Sequence, residues 1–459
     1  MEKEIMSQEA VYDAKTLGTT KMLILGAQHL FAMFGATVLV PAITGLNVST
    51  TLLFAGLGTL LFHLITGFKV PAFLGSSFAF LGGYAAIAPM VDGTPNAELL
   101  PYACAGVAVA GLVYLILAAL FKAFGAKQVM KFFPPIVTGP IIICIGMTLA
   151  GSAITNCHTN WLVALVAIAV VVICNIWGKG MIKIVPILLG VVASYLFAVI
   201  IDPAARAHVA ATVAAADWFG IPVIWENTAF SIFGEGFNGG ILLTSIITIA
   251  PIALATMVEH VGDMCAISST VGKNYVADPG LHRTLVGDGL ATAVSALFGG
   301  PANTTYGENT GVLALSKVYD PKVVRLAAYF AVILSFCPKF AALIVAMPAA
   351  TMGGVSLVLY GMISAVGVRN VVENKVDFTQ SRNVLIAAMI LCLAIGIKYY
   401  DVSGAITFNV GVVTISLSGL AVAAIVGIAM NAILPGKDYE FGADEQGDTA
   451  VNFGPRHDG

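Results

Sequence analysis

Apolar stretches of about 20 residues recur along almost the whole of this 459-residue chain, and they constrain its fold more than any other feature. Each stretch is long enough to cross the ~30 Å hydrocarbon layer of a bilayer. Only 10% of the residues are charged, whereas soluble domains have roughly 25%. Because backbone polar groups in lipid must be paired within the protein, we expect the membrane-crossing segments to be helices. The composition therefore excludes a soluble enzyme with a large core and predicts an all-α polytopic membrane protein.

We predict fourteen transmembrane segments from these stretches, at 22–44, 50–66, 71–90, 101–121, 132–151, 160–177, 182–201, 240–267, 282–299, 304–318, 323–346, 349–368, 383–398 and 410–433. Residues 1–20 and 435–459 form the two polar ends, and the longest polar connection is 202–239. An even number of segments puts both ends on one side, where 19 of the 22 Lys and Arg residues then lie. Since basic residues are enriched in cytoplasmic loops, we expect both ends in the cytoplasm and 202–239 on the extracellular or periplasmic side of the cell membrane.

Two halves of seven segments each, 21–201 and 240–434, share weak similarities that predict an inverted repeat. QH at 28–29 resembles EH at 259–260, and FPPIVTGPII at 133–142 resembles MPAATMGGVS at 347–356. The first offset, 231 residues, aligns Ser77 with Glu308. Glycine and proline residues interrupt both of these aligned segments, which are the third and the tenth. Broken segments at matching positions of two halves indicate the binding site of a transporter.

The stretch TTYGENTG at 304–311 places an ionisable carboxylate, Glu308, within one of these interrupted segments. Insertion scales put the cost of a buried Asp or Glu at about 2.5–3.5 kcal/mol, so such residues usually mark functional sites. The other candidates are Glu259, Asp263 and Asp288, of which the first two share a helix face because they are four residues apart. We therefore predict that Glu308 binds ligand on a broken helix and that Glu259 and Glu308 flank a cavity near the membrane midplane.

The chemistry of these residues predicts the kind of solute. A carboxylate accepts hydrogen bonds and a backbone N–H donates them, which suits a small planar ring bearing both N–H and C=O groups. Phe31, Phe78, Tyr306 and Tyr360 can supply a flat apolar wall. Burial disfavours the charged form of a carboxyl group, so such a group can take up a proton near neutral pH. The sequence lacks a nucleophile–base constellation, a metal-binding H-E-x-x-H motif and a phosphate loop. We expect a proton-coupled secondary transporter and not an enzyme, with no cofactor, metal site or nucleic-acid partner.

Several longer motifs are similar to those of a known transporter family. They are QHLFAMFGATVLVP at 28–41, PAFLGSSFAF at 71–80, EHVGD at 259–263, DPGLHR at 278–283, NTTYGENTGV at 303–312 and MGGVSLVLYG at 352–361. Over residues 20–435 the chain resembles the uracil permeases of the nucleobase/ascorbate transporter (nucleobase:cation symporter) family. The resemblance implies fourteen transmembrane segments in two inverted seven-helix repeats, divided into a core and a gate domain, and a homodimer. It also implies short β-strands in segments 3 and 10 that meet beside the substrate.

The same resemblance implies roles for individual residues. It implies that two glutamates bind uracil and that the backbone of Phe78 and Gly307 donates hydrogen bonds to it. Together with the aromatic wall, the expected substrate-binding residues are Glu259, Glu308, Phe78, Gly307, Ser77, Tyr306, Tyr360 and Phe31. The expected proton-coupling residues are Glu308, Asp263, Glu259, Asp288 and His29. Helix packing is the alternative role for Asp263, Asp288 and His29.

The expected activity is import of uracil by symport with protons, through alternating access of the core domain against the gate domain. GEN at 307–309 resembles the uracil branch. Asp263, however, stands where the uracil permease pattern has His, and both Asp263 and Asp288 resemble the purine branch. The alternative is therefore a xanthine or urate cation symporter of the same fold. An anion exchanger of the related fourteen-helix fold is disfavoured, because paired carboxylates repel anions.

Overall fold

The computed structural model describes residues 10–90, 94–234, 236–400, 405–410 and 413–437. The first half consists of α1 (Thr19–Thr44), α2 (Val48–Ile65), β1 (Leu74–Ser76), α3 (Leu81–Ile87), α4 (Leu100–Phe124), α5 (Ala126–Val129), α6 (Pro135–His158), α7 (Trp161–Trp177), α8 (Met181–Ile184), α9 (Pro186–Ile201) and α10 (Pro203–Ala215). The second half consists of α11 (Gly239–Ile249), α12 (Ala253–Val271), α13 (Leu281–Leu297), β2 (Asn303–Thr305), α14 (Gly307–Ser316), α15 (Pro321–Ser335), α16 (Pro338–Val345), α17 (Ala349–Glu373), α18 (Ser381–Tyr400), β3 (Ala405–Val410), β4 (Val413–Ser418) and α19 (Gly419–Ile433). The first nine residues and most of the predicted tail at 435–459 lie outside the described residues.

Long apolar helices dominate the fold, as the sequence predicts. Among the described residues, seven helical segments are long and apolar enough to cross a membrane: α1, α2, α4, α6, the continuous α11–α12 unit, α17 and α18. The total rises to nine if two bent pairs each count as one crossing, namely α9–α10, bent by 113°, and α15–α16, bent by 88°. Helices α7 and α19 are shorter and apolar. The count of fourteen stays a prediction, which requires that α13 and the two strand–helix units β1–α3 and β2–α14 also cross.

The helices pack in two groups. In one group α6 lies along α17, with α7, α9, α18 and α19 around them; in the other, α13 packs on α4 and α2, and α15 packs on α2 and α1. Glycines allow the closest approaches, because a Cβ at Gly146 of α6 would lie 2.1 Å from the carbonyl oxygen of Tyr360 on α17. In the other group, a Cβ at Gly289 of α13 would lie 2.4 Å from the Cβ of Tyr114 on α4. Small residues at such crossings let membrane helices approach closely.

The two short strands β1 and β2 form an antiparallel pair where the resemblance implies strands. Gly75 lies opposite Thr304 at the centre of the pair. The pairing continues beyond the strands, since the Ser77 N–H donates to the Ala302 carbonyl and the Tyr306 N–H to the Phe73 carbonyl. A local two-fold axis through the centre of the strand pair relates these two bonds, and it exchanges Ser77 with Tyr306. The predicted offset of 231 residues, which matched Ser77 with Glu308, is therefore wrong by two residues, because the paired backbone matches Ser77 with Tyr306 and a weak similarity of side chains does not reveal that pairing.

The ends of the predicted connection 202–239 agree with the structure, since α9 ends at Ile201 and α11 begins at Gly239, but its interior and one other predicted boundary differ. The polar connection 202–239 contains the thirteen-residue helix α10, in which Asp202 caps the backbone N–H of Ala204 and Pro203 occupies the first turn. Proline is favoured there because the helix has no hydrogen bond for that N–H to make. The predicted segment 410–433 begins within the β3–β4 hairpin, and its helix starts only at Gly419. Apolar composition alone does not distinguish a strand from a helix over so short a distance.

Candidate functional site

A cavity of about 440 Å³ lies between the two groups of helices. One wall comes from α12, from β2 and the start of α14, and from the turn that follows β1. The other wall is mainly apolar and comes from α6 and α17, through Ile142, Ile145, Leu359, Met362 and Ile363. The cavity continues to the C-terminal end of α17, where Arg369, Asn370, Glu373 and Asn374 line it. It is thus a deep space with one polar, acidic wall and one apolar wall.

Three carboxylates line the inner part of this cavity. Glu259 and Asp263 lie one turn apart on α12, and Glu308 lies in the first turn of α14. Glu259 is close enough to Glu308 for their charges to interact. Among the described lining residues, the one basic side chain is Arg369 at the far end, where its Nε lies 2.5 Å from the carboxylate of Glu373. The inner acidic group therefore has no basic partner within the described lining, which suits a ligand that donates hydrogen bonds.

The start of α14 faces the cavity because the chain is extended up to Tyr306 and turns helical at Gly307. The first N–H groups of a helix have no partner within it, and the N-terminus carries a partial positive charge. The Tyr306 hydroxyl donates to the Ser76 carbonyl at 2.9 Å and accepts from Thr37 Oγ1 at 3.3 Å. These two bonds of Tyr306 join the tenth segment to the third segment and to α1, so they fix the position at which α14 begins.

Phe78 and Ala79 are the residues of the third segment that line the cavity. By the local two-fold symmetry of the strand pair, Phe78 is the counterpart of Gly307. Both positions follow a strand and precede the helix that continues the segment. The two residues for which the resemblance implies backbone donation are therefore symmetry-related and line the same cavity.

Thr305 is a cavity residue that the sequence analysis missed. Its hydroxyl donates to the Asp263 carboxylate at 2.5 Å, and it lies in β2 just before Tyr306. The only signal for it in the sequence is its position in NTTYGE, and nothing there indicates which carboxylate it contacts. Asp263 is thus held by a hydroxyl from the neighbouring segment while it remains on the cavity wall.

Two further predicted residues lie behind the cavity wall. Asp288 is fully buried, and its Oδ2 lies 2.9 Å from Nδ1 of the equally buried His260, on the helix that carries Glu259. His29 is also fully buried, and the Asn309 side-chain nitrogen donates to its carbonyl at 2.9 Å and lies 3.1 Å from its Nδ1. Neither Asp288 nor His29 lines the cavity. They contact residues adjacent to the site glutamates instead.

Three predicted substrate residues are not brought to the cavity. Ser77 is buried, and its N–H is used in the strand pairing with Ala302. Tyr360 is buried behind Phe78, edge-on at 6.0 Å between ring centroids. Phe31 has 48% of its side chain exposed and does not line the cavity. It lies two residues from the buried His29, and two helical residues point about 200° apart, so the two side chains face opposite sides of α1.

The apolar wall on α6 and α17 was not predicted, and no signal in the sequence would have identified it. Side chains such as Ile142 and Met362 look the same in sequence whether they face lipid, a helix or a cavity. Only the packing of α6 against α17 shows which face is turned toward Glu259 and Glu308.

Comparison with known proteins identifies the family. The family model described as Permease family, Xan_ur_permease, matches residues 20–403. The uracil permease of Bacillus caldolyticus is 40% identical over 436 residues, which cover 93% of this chain and 94% of that protein. The uracil permease of Bacillus subtilis (strain 168) is 37% identical over 441 residues, with 92% of this chain and 93% of that protein covered.

Among solved structures, the transmembrane domain of the cyanobacterial bicarbonate transporter BicA aligns with a TM-score of 0.57 at 14% identity, covering 92% of this chain and 99% of that one. At this identity the likeness concerns the fold alone. The predicted resemblance to the uracil permeases is confirmed by the sequence relatives, and the relatives are transporters and not enzymes. The chain belongs to the Xan_ur_permease family of permeases, and it is a multi-pass membrane transport protein.

Proposed function

We propose that this protein imports uracil by symport with protons, through alternating access. The observation that carries the proposal is the composition of one cavity. Glu259 and Glu308, the start of α14 at Gly307 and the ring of Phe78 all line it. The sequence relatives named uracil permease support the same substrate.

The cavity wall has hydrogen-bonding groups that complement those of uracil. The ring N–H groups of uracil can donate to the carboxylates of Glu259 and Glu308, and its carbonyl oxygens can accept from backbone N–H groups at Phe78 and Gly307. Hydrogen bonds to charged groups contribute roughly 1.5–3 kcal/mol each, more than bonds between neutral groups. The Phe78 ring and the apolar wall on α17 can cover the faces of a planar ring. A bicarbonate ion would instead meet three carboxylates of like charge.

Proton coupling follows from the same acidic wall. Full ionisation of Glu259, Asp263 and Glu308 would put three negative charges into one cavity, with Arg369 ion-paired at its far end. Repulsion in a space of low dielectric constant is strong, so binding of a proton offsets it. Asp288 and His29, which contact the neighbours of the glutamates, belong to the proposed coupling group. The proton is the proposed co-transported cation, and no cofactor takes part.

Alternating access is supported by the position of the cavity between the two groups of helices. We assign the group of α1, α2, α4, α13 and α15 to the core domain, together with the site helices α12 and α14, which pack on α4 and α1 respectively. The group around α6 and α17 is assigned to the gate domain. The cavity reaches the C-terminal end of α17, which the distribution of basic residues predicts to be cytoplasmic. The proposed state is therefore inward-facing, with both chain ends in the cytoplasm and the protein a homodimer in the cell membrane.

The test is uptake of radiolabelled uracil into proteoliposomes with an imposed inward proton gradient. We expect gradient-driven uptake that excess unlabelled xanthine does not block and that Glu308→Gln abolishes. Glu373→Gln is the matched control, because Glu373 lines the far end of the same cavity and carries the same change. Uptake that xanthine blocks would favour the purine symporter instead, in line with Asp263 and Asp288. Uptake at the same rate with and without the proton gradient would refute proton symport.

A further inference from the structure

The segment that precedes α1 is attached to the chain immediately after α14, the helix that carries Glu308. The Val11 N–H donates to the Lys317 carbonyl at 2.9 Å, and the Tyr319 N–H donates to the Val11 carbonyl at 2.8 Å. These two bonds form an isolated parallel bridge between Val11 and Val318. Lys317 ends α14 in a left-handed conformation, with φ 53°, which turns the chain toward Val11. The bridge therefore fixes the far end of the site helix.

The same segment is attached to the end of α12, the helix that carries Glu259 and Asp263. The Tyr12 hydroxyl donates at 2.8 Å to the carbonyl of Val271, the last residue of α12. The Lys273 ammonium lies 4.6 Å above the Tyr12 ring, within the range of a cation–π contact. The Tyr12 ring also packs on that of Tyr319, with centroids 5.5 Å apart. One tyrosine therefore contacts the end of α12 and the chain three residues after α14.

A buried carboxylate completes the attachment. Asp320 is 5% exposed, accepts from the Ala14 N–H at 2.8 Å and caps the start of α15 through the Lys322 N–H. Ala14 is fully buried in a small apolar cluster with Val318. An exposed side-chain contact alone would stabilise little, but a buried backbone-to-carboxylate bond is costly to break. The segment is therefore held by buried contacts and not only at its surface.

Helix α14 depends on these contacts because it is short. It has ten residues and packs mainly against α1 and α12. Its first turn is joined to α1 through Asn309 and His29, and its far end is joined to Val11. Helices of fewer than about 12 residues are marginal alone, so packing and end contacts determine where such a helix lies.

We propose that residues 11–14 form a clasp that sets the position of α14 relative to α12, and with it the spacing between Glu308 and the carboxylates of α12. Val11 and Tyr12 are positioning residues, since they act on the site through the helix ends. The inference rests on the proposed function, because that function assigns Glu259 and Glu308 to one substrate. It predicts that a change at the end of α12, about three helical turns from Glu259, or beyond the end of α14, alters substrate affinity.

The test compares Tyr12→Phe, which removes one hydroxyl, with Tyr319→Phe as the matched control. The Tyr319 hydroxyl makes no hydrogen bond to the described part of the chain, and its ring is the one on which the Tyr12 ring packs. We expect Tyr12→Phe to raise the KM for uracil uptake roughly two- to tenfold, the worth of about one hydrogen bond, with little change in Vmax. Val11→Pro, which removes the N–H of the bridge, should raise KM further. Tyr319→Phe should leave KM unchanged.

A second measurement needs no substrate. Hydrogen exchange followed by mass spectrometry on the detergent-solubilised protein should show faster exchange in α14 in both clasp variants and not in Tyr319→Phe. If the clasp variants show faster exchange in α14 but the unsubstituted protein takes up no uracil, the clasp is supported and the proposed function is refuted. Unchanged KM and unchanged exchange in Tyr12→Phe and Val11→Pro would refute the clasp and leave the proposed function intact. A fall in thermal stability with unchanged KM would also refute a positioning role.

Discussion

Substitution of Gly75 by alanine tests whether the strand crossing positions the site. Gly75 is the central residue of β1, opposite Thr304. A Cβ at this position would lie 2.5 Å from Cζ of Tyr306 and 2.6 Å from Thr37 Oγ1, whereas ordinary contacts begin near 3.4 Å. The Tyr306 ring would have to move by about 0.9 Å to accept the methyl group.

That displacement has a calculable consequence. The Tyr306 hydroxyl is 2.9 Å from the Ser76 carbonyl, so a shift of this size takes the pair beyond hydrogen-bond distance. Overpacking typically costs about 1–3 kcal/mol, and the lost bond adds about 1 kcal/mol. Gly307 and Glu308 follow Tyr306 directly, and a misplacement of about 1 Å can cost on the order of 100-fold in rate. We therefore expect Vmax/KM for uracil uptake to fall at least about tenfold and stability to fall by about 2–4 kcal/mol.

The assay is initial-rate uptake in proteoliposomes, normalised to the amount of reconstituted protein, together with thermal unfolding in detergent. Gly82→Ala is the matched control, because Gly82 lies in the helix that follows β1 and a Cβ there meets no atom of the described residues within 4 Å. Alanine is a better helix former than glycine, so this control should be neutral or slightly stabilising. If Gly75→Ala matched Gly82→Ala in both uptake and unfolding temperature, the claim that the crossing positions Glu308 would be wrong.

Three further predictions concern the carboxylates and the packing of α6. Glu308→Gln should weaken equilibrium binding of uracil by about tenfold, because a charged acceptor is replaced by a neutral one; a Kd within twofold of the parent would exclude a direct contact. Asp263→Asn should alter the dependence of uptake on pH, and an identical pH profile would remove Asp263 from proton coupling. Gly146→Ala would put a methyl group 2.1 Å from the Tyr360 carbonyl oxygen, so it should lower the unfolding temperature. Gly361→Ala should not lower it, because no atom in the described part of the chain lies within 4 Å of a Cβ there.

The candidate site was predicted in part from sequence, through its charged residues. Glu259, Asp263 and Glu308 stand out because few ionisable residues occur within apolar segments, and all three line the cavity. Phe78, Tyr306 and Gly307 also line it, as the resemblance implies. Phe31, by contrast, is half-exposed and does not line the cavity. The sequence did not reveal this, because an aromatic residue gives no sign in the sequence of which side of a helix it occupies.

The amino-acid sequence by itself determined the class of the protein and its chemistry. Apolar segments long enough to span a bilayer require paired backbone groups and therefore helices, and a carboxylate in such a segment requires a partner or a ligand. Tertiary structure alone decided the register of β1 and β2, the bond from Thr305 to Asp263 and the apolar wall on α17. These features join residues far apart in the chain. Their geometry follows from which helix faces pack together, and one apolar face resembles another until that packing is known.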